Sequence, residues 1–144
     1  MAPSATSLTA GWDPARPPCT LVGAGPPPPL LRGPAGRTAP VSLVGAGLPL
    51  GLGTGNYEPT VLTMTVPGLL VLYSDGLVES RDTDIDHEIA RLARHVDEAA
   101  AAGPPSDDHD ALSALCKQLL RAPTGAAGVD DRTLLLAELT PAKD

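Results

Sequence analysis

Phenylalanine is absent from this chain of 144 residues, and Trp12, Tyr57 and Tyr73 are its only aromatic residues. A core without large rings must be built from Leu, Val, Ile and Ala. That works, because volume and patterning outweigh aromaticity. Cysteine is nearly absent as well. Cys19 and Cys116 stand alone, with no Cys-x-x-Cys spacing, which excludes a structural zinc motif and gives no ground for a disulfide. Positive charge is scarce: 10 Lys and Arg face 17 Asp and Glu, for a formal net charge of -7. A nucleic-acid partner needs a basic footprint, so that class is excluded. No stretch approaches the ~20 apolar residues that span a bilayer. The start, MAPSATSLTAGW, lacks the basic and apolar regions of a signal peptide. The expectation is a soluble cytoplasmic protein with no nucleic-acid and no membrane partner, long enough for one domain with a real core.

Proline and glycine are what the chain has in plenty, 17 and 15 residues. Most of the proline excess lies before Gly68, so the first half should be strands and turns. Residues 1–11 are expected to be a disordered start and 141–144 a tail, with one domain over 12–140. Trp12-Asp13-Pro14 suits a turn. Short strands are expected at 19–22 and 30–32. Gly33-Pro34-Ala35-Gly36 then turns the chain into a third strand at 38–44. A glycine-studded loop follows over 45–56. Residues 60–66 alternate as a strand, and Pro67-Gly68 turns the chain into the apolar strand 69–73. These two strands are expected to pair antiparallel.

The pattern changes after Arg81. Ile85, Ile89, Leu92, Ala93 and Val96 recur at helical spacing, with Asp84 as the candidate N-cap. Ser106 can cap a second helix, whose stripe is Leu112, Leu115, Cys116, Leu119 and Leu120. A loop at 122–129 leads to a final strand, 133–139, apolar enough to be central in a sheet. Strands, two helices and a last strand make an α+β fold, with an antiparallel sheet and two helices between the last strands.

LVGAG occurs at 21–25 and again at 43–47. The first copy is no dinucleotide-binding loop, because four prolines, Pro26 to Pro29, stand where the phosphate-binding helix must begin. Gly51, Gly53 and Gly55 lack the Gly-Lys-Ser/Thr ending of a P-loop. His87 and His95 are eight residues apart and fit a solvated face with Arg91. His109, in an acidic first turn, and Glu79 also read as surface. No nucleophile is matched to a base.

Two acidic positions bracket the strongest strands. Asp75 follows strand 69–73 in LLVLYSDGLVESR, and Asp130-Asp131 precedes strand 133–139. If those strands are antiparallel neighbours, Asp75 and Asp130 share one sheet edge. Asp-Gly and Asp-Asp are ordinary turn chemistry. The same carboxylates brought together would repel each other unless a hard divalent cation sits between them. Both readings stand on spacing alone.

Four segments, in order, resemble one family: AGPPPPLL (24–31), GLPLGLG (47–53), LLVLYSDGLVESR (69–81) and DDRTLLLAEL (130–139). Together they are similar to the carboxy-terminal part of the PPM-type, protein phosphatase 2C-like, metal-dependent serine/threonine phosphatases, in their SpoIIE-type bacterial branch. The resemblance implies part of an α/β sandwich of two antiparallel sheets with helical layers. It implies Mn²⁺ or Mg²⁺, two ions in the family, that activate water against a phosphoserine or phosphothreonine. Asp75 and Asp130 are the ligands that it implies, with Asp131 the weaker candidate, and Gly76 would allow the tight turn that points Asp75 inward. In bacterial relatives the substrate is often an anti-sigma-factor antagonist. The family's amino-terminal Gly-Asp-x-x-Asp and Gly-Asp-x-x-Gly-His-Gly segments have no counterpart here. Pro26 stands where the family usually has His, and Arg132 where an apolar residue is usual. The metal site is therefore expected to be incomplete. Apolar sheet surface should be left for a second chain to cover, and a catalytically inactive binding or regulatory module is the alternative to a phosphatase.

Overall fold

The computed structural model describes residues 5–13, 15, 18–101, 109–121 and 131–141. Seven strands and two helices follow in the order β1 (Ser7–Gly11), β2 (Cys19–Ala24), β3 (Leu30–Arg32), β4 (Thr38–Pro40), β5 (Thr60–Leu62), β6 (Gly68–Tyr73), α1 (Ile85–Ala101), α2 (His109–Arg121) and β7 (Leu134–Leu139). They form two antiparallel sheets. One has the order β1-β2-β5 and the other β4-β3-β6-β7. The expected α+β fold is what the chain adopts, with both helices between β6 and β7.

The strand β6 explains the layering. Its residues are buried on both faces, apart from the half-buried Leu72. Leu69, Val71 and Tyr73 join Leu30 and the α1 residues Ile89, Leu92, Ala93 and Val96 in one cluster. Leu70 points the other way, into a second cluster with Cys19, Leu21, Met64 and Leu139. Alternate residues of a strand face opposite sides, so one apolar hexapeptide serves two cores. The helix α1 presents its buried residues at i, i+3, i+4 and i+7 spacing from Ile89, as a helix against a sheet must. Asp86 and Glu88 in its first turn complement the helix dipole. Asp84 stands at the expected N-cap position, where its carbonyl accepts the first bond of the helix from the Glu88 N–H at 3.1 Å. Ile85 is largely exposed and does not share the buried stripe. The expected Ser106 cap and the 122–129 loop lie outside the described residues.

Several elements differ from the sequence expectation. Residues 7–11, expected to be disordered, form β1, paired with β2 from Ser7↔Ala24 to Gly11↔Thr20. SLTAG carries no strong strand pattern of its own, and its ladder to β2 supplies the hydrogen bonds that hold it extended. The expected strand 38–44 stops at Pro40. The chain then leaves the sheet so that Val41 and Leu43 can cover the inter-sheet cluster. The expected strand 60–66 stops at Leu62 and pairs with β2, not with β6. No hairpin forms, because residues 63–67 cross from one sheet to the other with Met64 tucked between them. A Cβ on Gly68 would lie 2.5 Å from the Met64 methyl carbon, so glycine gives that side chain its space. Finally, among the described residues β7 lies at the edge of its sheet rather than at its centre, and its Leu135 is 52% exposed.

Candidate metal centre

The pairing of β6 with β7 runs from Gly68↔Leu139 to Tyr73↔Leu134. The end of β6 therefore meets the start of β7, as the two-aspartate argument requires. Immediately past β6 the chain enters one 3₁₀ turn, Asp75–Leu77. The Val78 and Glu79 N–H groups both donate to the Asp75 carbonyl at 2.8 Å. Leu77 and Val78 are almost fully buried and pin the turn to the helix-side core. Gly76 is buried and has no positive φ. The turn thus needs no left-handed glycine, and Asp75 is exposed rather than turned inward. Glu79 is exposed, as expected.

Three hydrogen bonds join this turn to the segment that carries Asp131. The Ser74 N–H donates to the Thr133 carbonyl at 3.0 Å. The Thr133 N–H donates to Ser74 Oγ at 2.9 Å, and Ser74 Oγ donates to the Asp131 carbonyl at 3.2 Å. Asp75 and Asp131 accordingly sit on adjacent segments at one edge of the four-stranded sheet, and both are exposed. Asp130 lies outside the described residues. Neither Asp75 nor Asp131 is paired with a cationic side chain among the described residues, whose ion pairs include Arg32 with Asp97 and Arg91 with Glu88. Carboxylate oxygens without a basic partner are the donor type that Mn²⁺ and Mg²⁺ select, and Asp75 and Asp131 are of that type. Among the described residues no group of three or more His, Cys, Asp or Glu converges on a point. His87 is exposed and His95 half-buried on α1, remote in sequence from the acidic edge.

A cleft of 260 Å³ opens beside Asp75. Its walls are Ser7 and Leu8 of β1, Pro26 and Pro27, Leu72 and Tyr73 of β6, and Leu135 of β7. The cleft thus lies between the two sheets, with the acidic edge on its rim. The proline segment is held in place by Tyr73, whose hydroxyl donates to the Pro28 carbonyl at 2.7 Å. Burial pushes the Tyr73 hydroxyl above its ordinary pKa, which keeps it a donor. Sequence reasoning found Asp75 and the acidic pair but missed Ser74 and Tyr73. The only signal for Ser74 was its place beside Asp75. Nothing in the periodicity of β6 distinguished a hydroxyl that ties down the proline segment.

Comparison with solved structures shows what this arrangement is similar to. The RsbU and RsbW domains of Rv1364c from Mycobacterium tuberculosis share 28% identity at a TM-score of 0.66, over 88% of this chain and 33% of that one. The phosphatase domain of the cell fate determinant SpoIIE from Bacillus subtilis has the same fold at a TM-score of 0.63. It is 16% identical, over 96% of this chain and 60% of that one. The chain thus spans between a third and three fifths of the length of these structures. No curated protein matches significantly. The family described as "Stage II sporulation protein E (SpoIIE)" matches residues 2–140. With two antiparallel sheets, a Ser-Asp-Gly turn bonded to the Asp131 segment, and a family match across nearly its whole length, the chain belongs to the SpoIIE family of PPM-type phosphatase domains.

Proposed function

We propose that this domain acts in metal-dependent hydrolysis of phosphoserine or phosphothreonine in a bacterial regulatory protein, and that Asp75 and Asp130 hold the metal, with Asp131 contributing more weakly. The observation that carries the reading is the junction of the Asp75 turn with the Asp131 segment through Ser74. When bound, Mn²⁺ or Mg²⁺ supplies Lewis-acid activation of water and neutralises charge on the phosphoryl oxygens. The chain's own part is to present carboxylates on the rim of a cleft with mostly apolar walls. The proposed substrate is a phosphoprotein of the anti-sigma-factor-antagonist kind, and the proposed location is the cytoplasm. No helix among the described residues is long and apolar enough to cross a membrane.

Mn²⁺-dependent hydrolysis of p-nitrophenyl phosphate by this chain, beside Asp75→Asn, tests the proposal. The expected result is turnover that requires Mn²⁺ and falls to the buffer level in the variant. A second reading is a non-catalytic binding module that pairs with another chain. It is favoured by the absence, among the described residues, of a third converging ligand, and by the exposed Val61 and Leu135 on the sheets. Absent turnover moves the assignment to that reading, whereas Mn²⁺-dependent turnover that survives in Asp75→Asn removes Asp75 from the metal site.

A further inference from the structure

We infer that Ser74 is a positioning residue that sets the separation between the Asp75 carboxylate and the Asp131 segment. The inference rests on the metal-site reading above and adds to it a residue with no ligating role of its own. Ser74 is extended, with φ -84° and ψ 158°, and its side chain caps nothing in its own turn. Its hydroxyl is instead committed across the sheet, accepting from the Thr133 N–H at 2.9 Å and donating to the Asp131 carbonyl at 3.2 Å. Its backbone N–H adds a third bond, to the Thr133 carbonyl at 3.0 Å. The regular ladder of β6 and β7 ends at Tyr73↔Leu134. Beyond that pair, among the described residues, the hydrogen bonds between the two segments run through Ser74, whose hydroxyl reaches the Asp131 backbone. Asp131, Arg132 and Thr133 are all exposed, so no buried side chain anchors this stretch.

The consequence is geometric. A divalent ion held by carboxylates from two segments requires those segments at a fixed spacing, and supporting hydrogen bonds typically govern affinity ~10–100-fold. Alanine at position 74 keeps the backbone bond and deletes both hydroxyl bonds. Threonine keeps the hydroxyl, and its β-branch suits extended backbone.

The test measures Mn²⁺ binding to the full chain calorimetrically for the wild type, Ser74→Ala, Ser74→Thr and Asp75→Asn, with hydrogen exchange at the Thr133 amide read in parallel. Ser74→Ala is expected to weaken Mn²⁺ binding about 10-fold and to speed exchange at Thr133, with the circular dichroism of the fold retained. Ser74→Thr is expected to restore both. Mn²⁺ binding that is lost in Asp75→Asn but unchanged in Ser74→Ala overturns the positioning role alone. Wild-type chain that binds no Mn²⁺, or binds it equally well as Asp75→Asn, overturns the metal-site reading and the positioning role with it. Unchanged Thr133 exchange in Ser74→Ala overturns the hydroxyl clamp whatever the metal result.

Discussion

The two sheets differ in what covers their outer faces. The four-stranded sheet has helices on one side and the other sheet on its opposite side, so β6 is buried almost throughout. The three-stranded sheet buries Cys19 and Leu21 inward, while Val61 on its other face is 55% exposed. In the first sheet an outward-facing residue is a core residue. In the second it is a surface residue, though the strand chemistry looks alike. Burial on a sheet is therefore a property of the next layer, and matched substitutions on the two outer faces should separate them.

The largest effect is expected at Leu69, which is 4% exposed against the helices. Leu69→Ala should cost about 2–5 kcal/mol in chemical denaturation, through lost transfer energy and a cavity. The matched truncation Val61→Ala should cost under ~1 kcal/mol, because the methyl groups it removes already face water. A large loss at Val61 would break the comparison by showing that this face is covered in solution.

Next in size is the link from the sheet edge to α1. Thr38 Oγ1 donates to Asp97 Oδ1 at 2.5 Å, and Arg32 Nε lies 3.6 Å from the same oxygen. Arg32 Nε is buried with no hydrogen-bond partner, so Asp97 is its one compensating charge among the described residues. Asp97→Ala should cost about 1–3 kcal/mol by the same denaturation curve, since it removes the charge beside a buried guanidinium nitrogen and the acceptor of the Thr38 hydroxyl. Had the helix layer contributed nothing to holding β3 and β4, the loss would be that of a surface site.

A smaller effect tests the helix-side core through pH. Tyr73 has its pKa raised by burial, so the folded state holds its proton more tightly than the unfolded chain. The resulting stability is fully present below the ordinary tyrosine value of about 10 and is lost as pH rises beyond it. Melting temperature should fall on the alkaline side of that value, and less steeply in Tyr73→Phe. That variant also loses the bond to Pro28, about 1 kcal/mol at neutral pH.

The smallest expected signal is kinetic. Burial raises the Cys19 thiol pKa and closes it off between the sheets, while Cys116 is partly exposed on α2. Iodoacetamide on the native chain should label Cys116 first, and Cys19 only on unfolding. Equal rates would mean that the three-stranded sheet opens readily.

These contrasts also explain what could be read beforehand. The strand 69–73 was legible because a strand covered on both faces is a continuous apolar run. Both helices were legible because their stripes repeat at helical spacing. The Asp75 turn and the acidic pair were visible as residue types at strand ends. Ser74 was not, because a hydroxyl beside a turn looks the same whether it faces water or bridges two strands. The strand β1 was invisible for a related reason, since SLTAG becomes a strand through its partner.

Local pattern by itself determined the helices, the apolar hexapeptide of β6 and the positions of the carboxylates, because each is written in residues a few places apart. Tertiary structure alone decided that β5 joins β2 instead of β6, that β7 lies at an edge, and that the Ser74 hydroxyl reaches the Asp131 segment. Those outcomes depend on which distant surfaces bury one another, and that free energy belongs to pairs of elements rather than to any one of them.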